Sequence, residues 1–183
     1  MTIYEYGGKH DWINYVATSD QKQIFTYVES SLYDLFSTYL PENITKVFIF
    51  SDGGPKHFKI NKTINFFHYI AKHFNFSIEY HFFESYHGSS LCDAHAGHIK
   101  VAIRNLIRDG SQIKDIDNFL EKIRAKDLKN SVFEKMVLLE DSMIFDVKII
   151  PGIKKFYKFL YDGSIIQVFL TSSNSLPMKT IKF

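Results

Sequence analysis

The stretch from residue 46 to residue 108 constrains this chain more than any other, because it reads strand, helix, strand, helix in order. Lys46-Val47-Phe48-Ile49-Phe50 is nearly all apolar and rich in β-formers, and it stops at Ser51-Asp52-Gly53-Gly54-Pro55, a cluster of turn residues. A run this apolar predicts a strand buried on both faces. Ile64, Phe67, Ile70, Ala71 and Phe74 then recur at helical spacing across 61–74. Residues 77–83 form a second strand pattern, and 94–108 are again helical, with Ile99, Ala102, Ile103, Leu106 and Ile107 on one side. Two strands joined by a helix run parallel with a right-handed connection. The loops after both strands therefore leave the sheet at one edge, where open α/β sheets bind ligands.

The flanking regions are read by the same rules. Residues 12–17 suit a short strand. Ser19 or Asp20 is placed to cap a helix that carries Ile24, Tyr27, Val28, Leu32, Leu35, Phe36 and Leu40 on its apolar side and stops at Pro41. Residues 113–126 have helical spacing, and 132–139 read as a further helix. Asp162-Gly163 between two aromatic, apolar runs is a β-hairpin signal. The expected division is a core over residues 1–148 and a small β appendage over 149–183.

Bulk properties narrow the function classes. With 45% apolar and 16% aromatic residues in 183, the chain has enough apolar surface for a core. Lysine and arginine number 22 against 20 acids, which excludes a generally polycationic binder but leaves room for a local basic patch. A single cysteine, Cys92, rules out an internal disulfide and fits a reducing compartment. No basic leader with an apolar run opens the sequence, and no apolar stretch approaches a bilayer span. The expectation is an intracellular protein, nuclear or cytoplasmic, with no membrane partner.

Two carboxylates stand where chemistry is expected. Asp52 follows a strand and precedes two glycines, which let a ligand approach closely. Turn capping explains that position equally well. Asp93 opens the helix after the second strand, where the dipole also favours an acid. Two acids on loops at one sheet edge suit hard cations that activate water and stabilise a leaving oxygen. Lys56, His57, Lys59 and Lys62, with Lys100, Arg104 and Arg108, are cations near those acids that can hold a phosphate backbone. Cys92, His95, His98 and His87 offer a rival zinc constellation, at a spacing that matches no compact zinc pattern. A small-molecule phosphohydrolase is a further alternative, although Gly54 stands where a second Asp is usual.

The run Phe50-Ser51-Asp52-Gly53-Gly54-Pro55-Lys56-His57-Phe58-Lys59, followed by Tyr80-His81-Phe82-Phe83-Glu84-Ser85-Tyr86-His87-Gly88-Ser89-Ser90-Leu91-Cys92-Asp93, resembles the catalytic core of eukaryotic DNA transposases with an RNase H-like fold. The resemblance covers about residues 46–108. It implies an RNase H-like mixed or parallel sheet flanked by helices, Mg²⁺ or Mn²⁺ as cofactor, DNA as partner, and strand cleavage and joining. Asp52 and Asp93 take the places of the second and third acids, as catalytic and metal-binding residues. Lys56, His57, Lys59, Lys100 and Arg104 become DNA contacts, and homo-oligomers are left open. The first acid has no counterpart: Asp11 and Asp20 are the early aspartates, and neither follows a clear apolar strand. The expectation is thus a sheet incomplete on its N-terminal side, and a mobile-element relic that is inactive alone or retained as a DNA- or protein-binding module.

Overall fold

The computed structural model describes residues 2–6, 9–17, 24–51, 58–83, 91–138 and 146–183. They belong to two compact units, each built from two stretches of chain: Met1–Lys22 with Ser89–Val137, and Gln23–Gly88 with Leu138–Phe183. The chain opens in the first unit with strands β1 (Thr2–Tyr6) and β2 (Lys9–Val16). In the second unit follow α1 (Ile24–Asp34), β3 (Lys46–Ser51), α2 (Asn61–Phe74) and β4 (Ser77–Phe82). Back in the first are α3 (Leu91–Arg108), α4 (Ile116–Arg124) and β5 (Ser131–Lys135). The second unit closes with β6 (Lys158–Tyr161), β7 (Ile165–Phe169) and β8 (Lys179–Lys182). The architecture is mixed α/β, with two sheets and both parallel and antiparallel pairs.

In the second unit the sheet order is β3-β4-β6-β7-β8. The pair β3–β4 is parallel, Ser51 opposite Phe82, as the strand-helix-strand pattern requires. Helix α2 supplies the core: Ile64, Phe66, Phe67, Ile70 and Ala71 are buried, with Ile78 and Tyr80 of β4 and Phe159 and Tyr161 of β6. Phe67 meets Tyr80 edge-on at 4.7 Å between ring centres, and Tyr161 at 6.0 Å. Three polar contacts tie the later chain to this helix. Asn65 donates to the Lys148 carbonyl at 2.9 Å and accepts from the Lys148 amide at 3.0 Å, and Asn61 accepts from the Ile150 amide at 2.9 Å. Side-chain amides here satisfy the backbone of a segment outside any strand, which burial would otherwise leave without partners.

The hairpin at Asp162-Gly163 is present. Gly163 has φ of 84°, and the Asp162 carboxylate accepts from the Ser164 and Ile165 amides. It does not form a separate appendage, however. Strand β6 pairs antiparallel with β4, so residues from 149 onward complete the sheet begun by β3 and β4. Strand β3 also departs from expectation. Among the described residues it is an edge strand, with alternating half-buried and exposed residues, and Phe48 and Phe50 are each 56% exposed. A strand with one neighbour cannot bury both faces and both edges, however apolar its sequence.

Helix α1 runs to Asp34, continues as a π-helical turn over Leu35–Tyr39, and gives way to extended backbone at Leu40 before Pro41. Its expected cap at Ser19 or Asp20 lies outside the described residues.

In the first unit β2 is central, antiparallel to β1 and parallel to β5. Ala102 and Leu106 of α3, Leu120 and Ile123 of α4, and Phe133 of β5 form its small core. The helix expected over 132–139 is a correction: residues 131–135 are a strand. Asp127 and Asn130 adopt φ of 45° and 54°, a left-handed geometry that stops the helical path after α4. The Arg124 guanidinium donates to the Phe133 carbonyl, and β5 then gains a ladder along β2. Asp11 is the third residue of β2, exposed and opposite Tyr4, and follows Lys9 and His10 rather than an apolar run.

Candidate functional site

The best-defined feature with chemical potential is α3. Its 18 residues begin at Leu91, three earlier than the spacing suggests, so Asp93 falls inside the first turn. His95, Ala102 and Leu106 are buried on one side, while Asp93, Ala94, His98, Lys100, Val101, Arg104, Ile107 and Arg108 are exposed on the other. Lys100, Arg104 and Arg108 are four apart, which sets them on one stripe with about 6 Å of rise between neighbours. Asp93 and Gly97 prolong that stripe toward the helix start, and a side-chain carbon placed on Gly97 meets nothing within 4 Å.

The charges on this unit are used unevenly. Lys135 pairs with Asp117 at 2.8 Å, Arg124 with Glu134 at 3.4 Å, and Lys126 with Asp109 at 3.6 Å. Among the described residues no ion pair engages Lys100, Arg104 or Arg108. Asp109, the acid next to Arg108, is occupied by Lys126.

The histidines of the zinc alternative divide. His95 is buried, stacks on Trp12 at 4.1 Å between ring centres, and its Nε2 lies 3.2 Å from the Asn14 side-chain oxygen. Burial first, and then the nearby His98, lowers its pKa. His98 is exposed, Cys92 is half-buried, and His87 lies outside the described residues. Among the described residues no three His, Cys, Asp or Glu gather to hold a metal.

Of the other expected site residues, Asp52, Lys56 and His57 lie outside the described residues. Ser51, which precedes Asp52, belongs to the second unit, whereas Asp93 belongs to the first. Asp93 is therefore the one member of the expected acid pair with a described position. By itself one carboxylate does not make up the set of acids that the resemblance implies for Mg²⁺ or Mn²⁺.

Lys59 departs from its expected role. It is only 5% exposed, with its ammonium 3.8 Å from the Tyr157 ring centre and 5.1 Å from that of Phe82. Burial lowers its pKa to about 8. An aromatic cage of this kind stabilises the cation locally rather than offering it to phosphate. Lys62 similarly lies over Phe25 at 4.2 Å. At the carboxyl end of β3, Ser51 Oγ and Tyr80 Oη are 2.7 Å apart. The sequence held no local signal for that pair, since it joins residues 29 positions apart.

No helix among the described residues is long and apolar enough to cross a membrane. Residues 3–161 match the family described as Domain of unknown function (DUF8701), and the chain belongs to that family. No curated protein and no solved structure matches it.

Proposed function

We propose that this chain is a transposase-derived, RNase H-like α/β domain that holds duplex DNA through α3, with the metal-dependent strand cleavage of its origin incomplete in the chain itself. The observation that carries the reading is the exposed row Lys100–Arg104–Arg108, none of it in an ion pair among the described residues. Cations held on a rigid helix and not neutralised by neighbours release counterions when they meet phosphates, which supplies most of sequence-independent affinity. The diameter of an α-helix also fits the B-form major groove. Asp93 lies on the same exposed stripe, at the end where the helix dipole favours an anion. In the RNase H-like reading Asp93 would be one acid of a Mg²⁺- or Mn²⁺-binding set, whose ion would activate water and stabilise a leaving oxygen.

The test is direct. Fluorescence anisotropy with a short labelled duplex should show salt-sensitive binding, weakened at least about tenfold by K100E/R104E/R108E. Equal binding by the variant would remove α3 from the interface. Incubation with supercoiled DNA and Mg²⁺ or Mn²⁺ should leave the DNA intact. Nicking that vanishes in D93A would mean that the catalytic set is complete after all.

A further inference from the structure

The sheet of the second unit has two unlike edges. At one end, β8 is four residues long, carries Lys179 and Lys182 at its two ends, and follows Pro177 within two residues. Short length, lysine and proline are the means by which edge strands are kept from pairing. At the other end, β3 is six residues long, and after Lys46 it has no charge up to Ser51. Phe48 and Phe50 are each more than half exposed on it.

The backbone of β3 has a definite polarity. The Thr45 and Ser51 carbonyls accept from the Ser77 and Phe83 amides of the β4 side. In a parallel pair the residues that bond a given neighbour alternate, so Thr45, Val47, Ile49 and Ser51 face β4. Lys46, Phe48 and Phe50 then direct their N–H and C=O outward. Among the described residues no backbone bond meets those outward groups.

The side chains at this edge are also organised. Phe50 stacks on His81 at 4.9 Å and on Phe83 at 6.0 Å, with interplanar angles of 15° and 20°. Lys46 lies 4.5 Å over Phe48 and pairs with Glu79 at 2.7 Å. The Phe50 ring lies against side chains of the β4 side, while more than half of its surface stays exposed. A strand edge whose backbone has no partner among the described residues, beside exposed rings, is a template for another β-strand.

We infer that β3 is a self-association edge, pairing antiparallel with β3 of a second copy of this chain about a two-fold axis at Ile49. In that register Ile49 faces Ile49, while Phe48 of each copy stands opposite Phe50 of the other. Residues directly opposite in an antiparallel pair share a sheet face, so the phenylalanines meet on the exposed face. The outward N–H and C=O of Phe48 and Phe50 exchange bonds in the same step.

Charge agrees with this direction. Antiparallel pairing sends the two Lys46 residues to opposite ends of the joint, whereas parallel pairing would set them side by side. Because β8 is guarded, the assembly closes at two copies, as an isologous contact does, instead of extending into a fibre. The four half-exposed phenylalanine rings offer roughly 400 Å² in total. That is below the roughly 1,200 Å² at which stable interfaces begin, so the dimer is concentration-dependent.

Sedimentation velocity over a concentration series tests the pairing, with F48K/F50K as the comparison. The expected result is a monomer–dimer equilibrium in the wild-type chain and a monomer in the variant, at unchanged circular dichroism. Hydrogen exchange on the wild-type chain provides a second readout that needs no variant. The Phe48 and Phe50 amides should gain protection as concentration rises, while those of Val47, Ile49 and Ser51, already bonded to β4, stay constant. A wild-type chain that remains monomeric, a dimer that survives F48K/F50K, or amides at 48 and 50 indifferent to concentration would each overturn the assignment.

Discussion

The two units solve the problem of stability differently. The second packs rings: Phe66, Phe67, Tyr80, Phe159, Tyr161 and Phe169 are all at most 2% exposed, and an aromatic helix lies along the strands β4 and β6. Among the described residues the first has one cluster of five buried apolar residues, one of them aromatic, besides Ile13 of β2, and carries paired surface charges around α4 and β5. Aromatic burial contributes more per residue than aliphatic burial, and exposed ion pairs contribute little. The thinly packed unit is also the one that presents the row of cations with no ion pair among the described residues. Under the proposed function that surface is kept for a charged partner and is not used to bury apolar area.

The largest test of this contrast is Phe67→Ala. Removing a ring that touches both Tyr80 and Tyr161 should cost about 3–5 kcal/mol in urea unfolding, read by circular dichroism. Ile123→Ala, in the smaller core, should cost about 2–4 kcal/mol. Trp12, stacked on His95, reports that unit by its fluorescence. If Ile123→Ala costs more than Phe67→Ala, the contrast between the cores fails.

Asn65→Ala is next, at about 1–3 kcal/mol, since it leaves the Lys148 amide and carbonyl without their partner. Acidification should act on both units. Burial first, then Lys72 and Lys148, lowers the His68 pKa, and burial lowers that of His95. A histidine depressed in the folded state leaves stability intact above its ordinary value of 6.5 and removes it as pH falls below, because the unfolded chain binds the proton first. For Glu79, burial alone would raise the pKa, but hydrogen bonds and charge from Lys46 and His81 hold it below the ordinary 4.5. Its contribution is present above pH 4.5 and is lost below it. Thermal melts should therefore fall in two steps, below about 6.5 and again below about 4.5; a flat profile between pH 7 and 5 would contradict the histidine assignment. The smallest effect is Gly97→Ala, which should stabilise α3 by about 0.5–1 kcal/mol, since nothing crowds the added carbon. If DNA passes close over that stripe, the same change weakens binding.

The helices and strands of 46–108 were legible because their signals are local. Ile64, Phe67, Ile70 and Ala71 mark one helix face, and Asp162-Gly163 marks a turn by its own chemistry. What escaped depends on distant partners. Val132 and Phe133 look equally apolar in a helix or a strand, and the ladder to β2 decides between them. The exposure of Phe48 follows from β3 having one neighbour, and the burial of Lys59 follows from Tyr157, nearly a hundred residues away. On the candidate site, the cations of α3 were visible as a cluster. That no ion pair engages them among the described residues goes with Asp109 pairing with Lys126 instead.

The central claim is that α3 meets DNA through Lys100, Arg104 and Arg108, and the salt dependence of duplex binding measures it most directly. Three phosphate contacts predict that log K falls with log[salt] at a slope of about −3. The K100Q/R104Q/R108Q variant should bring that slope close to zero while its melting temperature holds. A wild-type chain that does not bind duplex DNA, or a variant that keeps the wild-type slope, would contradict the account.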